Sequence, residues 1–357
     1  MKYLLTIACS LVFFQMGNAT IHTVCNLPNC GAQYTSIQAA VDAASSGDII
    51  YVQGSSTSYG SVTITNKSLQ LIGAGYAPNK QSMQPSTVPT ITFISNIAGS
   101  VDGSEVQGFV CTNILFQNNI PSSTISGLLI SNNKINNLSL SGLYTNSNFS
   151  NIIIQNNYIT NQFTGSGINI YSNVLVQNNV IYATNSGIYS FYNTSSFLFD
   201  HNLVYNGPEA FVGSRYILAT NNIFVERTST LTTSWGEFIT FTNNITYNCG
   251  QNSPWTINNN IDGGGNISNQ NPQMVDQVAV DGGTNNPLLD FSVPSGPANN
   301  AGTDGLDLGV RFDATGALNW AKSRTSLLPY IYSSVLNNPT IPAGGTLEIN
   351  ITAKSNY

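Results

Sequence analysis

A parallel β-helix, an all-β solenoid with three short strands per coil, is the fold class this sequence predicts. Three observations carry the prediction. The first is a repeat: NIIIQNNYIT (Asn151 to Thr160), NVLVQNNVIY (Asn173 to Tyr182), SFLFDHNLVY (Ser196 to Tyr205) and EFITFTNNITY (Glu237 to Tyr247). Each writes an apolar run, a polar residue, an Asn pair and a further apolar residue, with Asp200-His201 replacing Gln-Asn in the third. Aligned on the second Asn, the copies place Asn133, Asn157, Asn179, Asn202, Asn222 and Asn244 at intervals, by subtraction, of 24, 22, 23, 20 and 22. Weaker copies stand at Asn119 and Asn260. The second observation is what the repeat lacks. This period fits leucine-rich repeats or a β-helix, but the Leu-x-x-Leu-x-Leu frame is missing, and Gly, Ser, Thr and Asn leave no room for a helix in any copy. The third is composition. Only 7% of residues are charged, against about 25% in ordinary soluble domains, while 41% hydrophobic and 10% aromatic residues can fill a large core.

The elements follow in chain order. Lys2, the apolar run from Tyr3 to Phe14 and the small residues Gly17-Asn18-Ala19 predict a secretory signal over residues 1–19. The run is too short to span a membrane, and nothing later qualifies. Thr6-Ile7-Ala8-Cys9 lies too early in that run for a lipoprotein box. Of the four cysteines that remain, Cys25 and Cys30 bracket the turn-like NLPN and are a disulfide candidate in an oxidising compartment. Cys111 and Cys249 are expected singly in the core. With only His22 and His201 to complete one, no metal site is expected. In YTSIQAAVDAASSGD, Ile37, Ala40, Val41 and Ala44 fall at helical spacing behind Ser36 as N-cap, predicting a helix that covers the open end of the solenoid. The strand IIYVQG and the coils come next.

Within the coils, Ile152 and Ile154, Val174 and Val176, and Phe197 and Phe199 are predicted to point inward and stack at the strand spacing of about 4.8 Å. An Asn at each corner can take a left-handed backbone and pass its amide to the Asn of the next coil, so the six aligned Asn are read as a structural ladder. NPQMVD (Asn271 to Asp276) and DFSVPSGPANNAGTDGLDLG (Asp290 to Gly309) are read as a closing coil, ending a β-helix domain at 20–310. The tail, 311–357, loses the period. Its alternating TLEINITA would serve as an extra edge strand, a cover for the last coil, or an export or attachment segment.

The helix-and-strand opening and the two closing motifs resemble the secreted right-handed parallel β-helix proteins of the pectin-lyase-like superfamily, over about Thr20 to Gly309. The tail resembles that of secreted β-helix proteins of the Bacteroidetes group. The resemblance implies a right-handed coil and a location outside, or on the surface of, a Gram-negative cell. It implies no single activity, because the superfamily holds lyases, hydrolases, epimerases and non-catalytic adhesins. Its lyases use an Arg or Lys base with Ca²⁺ held by several acidic residues, and its hydrolases an Asp or Glu pair.

Either chemistry needs charges that converge on one face, which the repeat can test. Asp200 falls level with Gln177 and Thr220, and Glu209, Glu226 and Arg227 also fall level with uncharged residues. One pair lines up: Arg215 and Glu237 each lie seven residues before a ladder Asn and should be neighbours on adjacent coils. A surface salt bridge is the plain reading, and Arg215 as ligand for a uronate carboxylate the sharper one. Asp200 and His201 could form a general acid–base pair. Adjacent strand residues point to opposite faces, however, and cooperate only if a corner bends between them, so His201 is read as standing in for Asn within a ladder. Asp304, Gly305 and Asp307 lack the ligand spacing of a calcium loop. Tyr182, Tyr205 and Tyr247 share one repeat position, and Trp235 belongs near Tyr189, Phe191 and Tyr192; as exposed aromatics these four suit sugar stacking, or merely cover turns.

A net charge of −6 argues against nucleic acid and anionic membranes as partners. The sequence therefore predicts a secreted or cell-surface, monomeric, non-catalytic protein without cofactor, glycan-binding or adhesin-like, whose partner is an extracellular polysaccharide or cell-surface glycan. The alternative is a carbohydrate-active enzyme, polysaccharide lyase before glycoside hydrolase, and only that alternative brings in Ca²⁺.

Overall fold

The computed structural model describes residues 19–76, 84–184, 186–207, 210–226, 235–312, 318–323, 330–336, 346 and 349–354. The signal reading on residues 1–18, and Glu209 and Arg227, lie outside these. The described chain winds into a parallel β-solenoid of about nine turns. One parallel sheet of 12 strands begins at Ile21–Val24 and Ile49–Val52 and ends at Ile261–Asp262. A second, also of 12, begins at Val62–Thr65 and divides after Tyr158–Thr164. One branch continues through Val180–Tyr182 to Ile245–Tyr247, the other through Ile188–Tyr189 and Phe211–Arg215 to Trp235–Glu237. This division gives the C-terminal coils their third face.

Two columns of left-handed corners bend each coil. One holds Asn132, Asn156, Asn178, His201, Asn221 and Asn243, with φ between 49° and 58°. The other lies six residues before each ladder Asn and holds Gly127, Asn151, Asn173, Ser196, Tyr216 and Phe238. Gly and Asn are the residues that tolerate this backbone best, which explains the polar punctuation. The two jobs given above to one Asn are thus divided. The first of each pair takes the corner. The second is wholly buried and forms the ladder: Asn157 Nδ2 donates to Asn179 Oδ1 (3.0 Å), Asn179 to Asn202 (3.0 Å), Asn202 to Asn222 (3.2 Å) and Asn222 to Asn244 (2.9 Å). Asn133 begins the column and Asn266 ends it. Asn119 and Asn260 are not members. Before Asn133 the corner is Gly108 (φ 76°), and Asn260 instead bonds the Pro254 carbonyl beside the short 3-10 helix Pro254–Thr256.

Inward residues stack as expected. Ile152, Ile154, Val174, Val176, Phe197 and Phe199 are all buried, and Phe93 stacks on Phe116 at 4.6 Å. The helix Ile37–Ala43 covers the N-terminal end with Ile37, Ala40 and Val41. Ser36 is its N-cap by position, but its hydroxyl makes no capping bond. Cys25 and Cys30 are joined as a disulfide, while Cys111 and Cys249 are buried free thiols. No described helix is long and apolar enough to cross a membrane.

The closing motifs do not form a coil. Parallel pairing stops at Ile261–Asp262 and a bridge at Ile267, and residues 271–312 run back along the outside of the second sheet as a strap. Met274, Val280, Leu289, Phe291, Val293, Leu308 and Val310 bury themselves against Tyr158, Val180, Tyr182, Leu203, Tyr205, Ile223 and Val225. Those strands carry apolar residues on both faces, so a layer must cover them. Further on, Trp320 packs against Phe291, and Ser323 Oγ meets Tyr76 Oη at 3.0 Å. In the tail, Tyr330–Leu336 and Ile349–Lys354 pair with each other as an antiparallel ribbon, separate from the parallel sheets.

Candidate functional site

Asp200 and His201 meet, because a corner does bend between them. His201 sits at the left-handed corner (φ 49°), which swings its ring to the Asp200 side; Nδ1 lies 2.9 Å from Asp200 Oδ2. The other carboxylate oxygen accepts from Thr220 Oγ1 (2.5 Å) and Asn221 Nδ2 (2.8 Å). His201 is 2% exposed and belongs to no Asn ladder. Its Nε2 faces Asp304 Oδ1 of the strap at 3.6 Å, and Asp304 Oδ2 lies 3.8 Å from Arg311. The imidazole thus bonds Asp200 and only approaches Asp304, its buried Nε2 having no hydrogen-bond partner among the described residues.

The neighbouring corners hold the same strap. Asn243 Nδ2 donates to the Ala301 carbonyl (2.7 Å), Asn221 Oδ1 accepts from Thr303 N–H (2.8 Å), and Asn178 Oδ1 accepts from Arg311 N–H (2.6 Å). Asn178, Asn221 and Asn243, with His201 between them, therefore form a docking track on which residues 301–311 lie coil by coil. Asn178 Nδ2 also donates to Asn156 Oδ1 (2.6 Å), a side-chain ladder step of the same kind as those of the second Asn.

Burial alone would raise the pKa of Asp200, but hydrogen bonds from His201, Thr220 and Asn221 and the attraction of His201 outweigh it and hold it below the ordinary 3.8. A lowered carboxylate contributes stability above its unfolded value, and that contribution is lost as pH falls through the folded one. Thermal midpoints should therefore fall as pH drops from about 5 to about 3. Asp200→Asn should flatten that slope, and an unchanged slope would contradict the assignment.

The chain's other histidine is also committed. His22 Nε2 lies 3.0 Å from Asp48 Oδ2, both residues are buried, and Asp48 further accepts from the backbone N–H groups of Thr20 and Ser45. Among the described residues, no three His, Cys, Asp or Glu side chains are grouped to hold a metal ion.

The expected sugar-stacking aromatics need correction. Tyr182, Tyr205 and Trp235 are buried, and Tyr247 half-buried. The strap is the reason for the tyrosines: Tyr182 Oη donates to the Gly283 carbonyl, Tyr205 Oη to the Thr284 carbonyl, and Tyr158 Oη to Asn285 Oδ1. Trp235 points inward against Phe224 and Phe241.

Arg215 and Glu237 lie in register on adjacent strands, with Nη2 2.8 Å from Oε2 and both side chains solvent-accessible. The guanidinium also covers the Tyr192 ring at 5.4 Å. Exposed pairs of this kind contribute about 0 to 1 kcal/mol. Arg215→Ala should shift the denaturation free energy by less than about 1 kcal/mol; a larger loss would mean the pair orders its coil.

Beside that pair is a feature sequence reasoning passed over. Tyr216 (φ 56°) and Phe238 (φ 55°) occupy the left-handed corner that other coils give to Gly, Asn or Ser. A bulky residue there is a backbone outlier, costing of order 1–3 kcal/mol. The two rings stack at 5.3 Å and 15°, and are 56% and 38% exposed.

No protein-family model matches the chain, and neither a curated protein nor a solved structure is similar to it. What the geometry defines is a class: a parallel β-solenoid with a side strap latched on its Asn corners.

Proposed function

We propose that this is an exported β-solenoid of the pectin-lyase-like kind that binds a glycan on its outer surface without transforming it. The observation that carries this reading is the fate of the acid–imidazole pair. General acid–base work needs a group that reaches the proton it moves. His201 is 2% exposed beneath the strap, and Asp200 spends its oxygens on His201, Thr220 and Asn221. The exposed pair Arg215–Glu237 neutralises itself at 2.8 Å rather than presenting a free cation to a uronate.

Export is supported by the Cys25–Cys30 disulfide, a bond that persists in oxidising compartments. Glycan binding is supported by a surface rich in amides and hydroxyls and poor in charge, with exposed aromatic rings among them. The test is incubation of purified protein with a polysaccharide panel, reading co-sedimentation together with reducing ends and unsaturated-product absorbance. Binding without new ends or absorbance is expected. Turnover of any polymer would overturn the reading in favour of a lyase or hydrolase.

A further inference from the structure

Among the described residues, the strap covers the apolar outer side of the later strands of the second sheet, and no described element lies over the first sheet's outer row. On the first sheet, Leu129, Ile153, Leu175, Leu198, Leu218 and Thr240 are consecutive partners across six strands and point outward. Ile153 (38%) and Leu218 (42%) are exposed, the other four half-buried. An uncharged row with aliphatic side chains at five of its six positions is the kind of surface that marks an interaction site. Tyr216 and Phe238 lie in the corner column at its side, two residues before Leu218 and Thr240.

We infer that this row and the stacked Tyr216–Phe238 pair form a binding face for a neutral polysaccharide whose pyranose rings offer C–H faces, such as a β-linked hexopyranose chain. The inference rests on the glycan-binding reading and locates it. Three features point to this occupant. The row itself carries no charge, and amide ladders flank it: Gln177 donates to Gln155 at 2.9 Å on one side, Asn173 to Asn151 at 2.6 Å on the other. Such borders suit hydroxyl groups. Of the charges nearby, Arg215 is paired with Glu237, Asp200 is held by His201, Thr220 and Asn221, and Glu105, in register with Leu129 at the row's end, is acidic, so no described cation beside the row is left to pair a polyanion, which the chain's net charge of −6 would also repel. Finally, corner conformations that disfavour aromatics nonetheless hold two, adjacent and exposed. The fold has no use for them there, since Asn or Gly serves the same corner in other coils. Exposed rings backed by apolar surface are the chemistry that sugar C–H faces recognise.

The corner supplies its own test. Tyr216→Asn/Phe238→Asn, made in the full chain, gives both coils the residue that stands at this corner in the coils of Asn151 and Asn173. The double variant should keep or raise the denaturation midpoint while losing at least about tenfold in affinity for cellulose or mannan, the loss of about 1.4 kcal/mol of binding free energy. Equal affinity of variant and wild type for the neutral polymer would overturn this face and leave the glycan reading standing. A wild type that prefers polygalacturonate would overturn the assigned class of sugar. No binding by the wild type to any polysaccharide would overturn both readings. A wild-type dimer that the variant makes monomeric in sedimentation velocity would assign the face to a second copy and overturn the proposal.

Discussion

Replacing Asn179 by Asp should destabilise the protein by about 3–5 kcal/mol, the largest effect expected of any isosteric change in the chain. Asn179 stands at the middle of the buried ladder. Its Oδ1 accepts from both the backbone N–H and Nδ2 of Asn157, and its Nδ2 donates to the Ile154 and Gln177 carbonyls and to Asn202. An aspartate keeps the acceptor but loses every donor. It also sets a buried carboxylate against two carbonyl oxygens and the Asn202 amide oxygen, none of which can neutralise it. Asn179→Ala leaves the same carbonyls unpaired without adding charge, so it should cost less than Asn179→Asp. By contrast, Asn151→Asp at the exposed corner should change the midpoint little. Urea denaturation of the three variants checks the order. Equal, small effects at Asn179 and Asn151 would mean the ladder does not hold the coils together.

Phe291→Ala should release the strap at a cost of about 3–5 kcal/mol. Phe291 is 1% exposed, wedged between Tyr205 at 5.9 Å and Trp320 at 6.1 Å. Its loss opens a cavity at the point where the strap's apolar residues meet the outer tyrosine column. Limited proteolysis should then cut within residues 283–310 before it cuts any coil, and Tyr182 and Tyr205 should become accessible to modification. A solenoid can lose a side layer while its stacked coils persist, because each coil is held mainly by its neighbours. Simultaneous cleavage of strap and coils would instead show that the strap is needed to keep the stack folded.

The parts of this molecule written periodically were legible in its sequence. The ladder follows from the spacing of Asn133 to Asn244, and the equal offsets of Arg215 and Glu237 put them in the register the structure gives. What has no period was misplaced. The strap makes its contacts across 58 to 133 residues, from Ala301 with Asn243 to Arg311 with Asn178, and nothing in its own spacing announces where it lies. One signal was present. VIY, LVY and IFV, following successive Asn pairs, are apolar at inward and outward positions alike, as strands covered on both faces must be. His201 meets Asp200 through the one exception that side-chain alternation allows, a left-handed corner between them, and so bonds Asp200 instead of joining an Asn ladder. Tyr216 and Phe238 were visible at an offset of six from Asn222 and Asn244, where Asn151 and Asn173 stand in their own coils. They went unread because the corner was sought at the Asn pair alone.

The central claim is that Asp200 and His201 latch the strap and perform no chemistry. It is tested most directly by assaying wild type and His201→Asn side by side on the polysaccharide panel, with folding verified by circular dichroism. Asn suits the left-handed corner but leaves Asp200 without the imidazole, so the variant should fold with a denaturation free energy lowered by about 1–3 kcal/mol, and both proteins should release no reducing ends or unsaturated products. General acid–base help is worth about 10²- to 10⁴-fold. A wild-type activity that His201→Asn lowers by that factor, in a folded protein, would contradict the latch and make the pair catalytic.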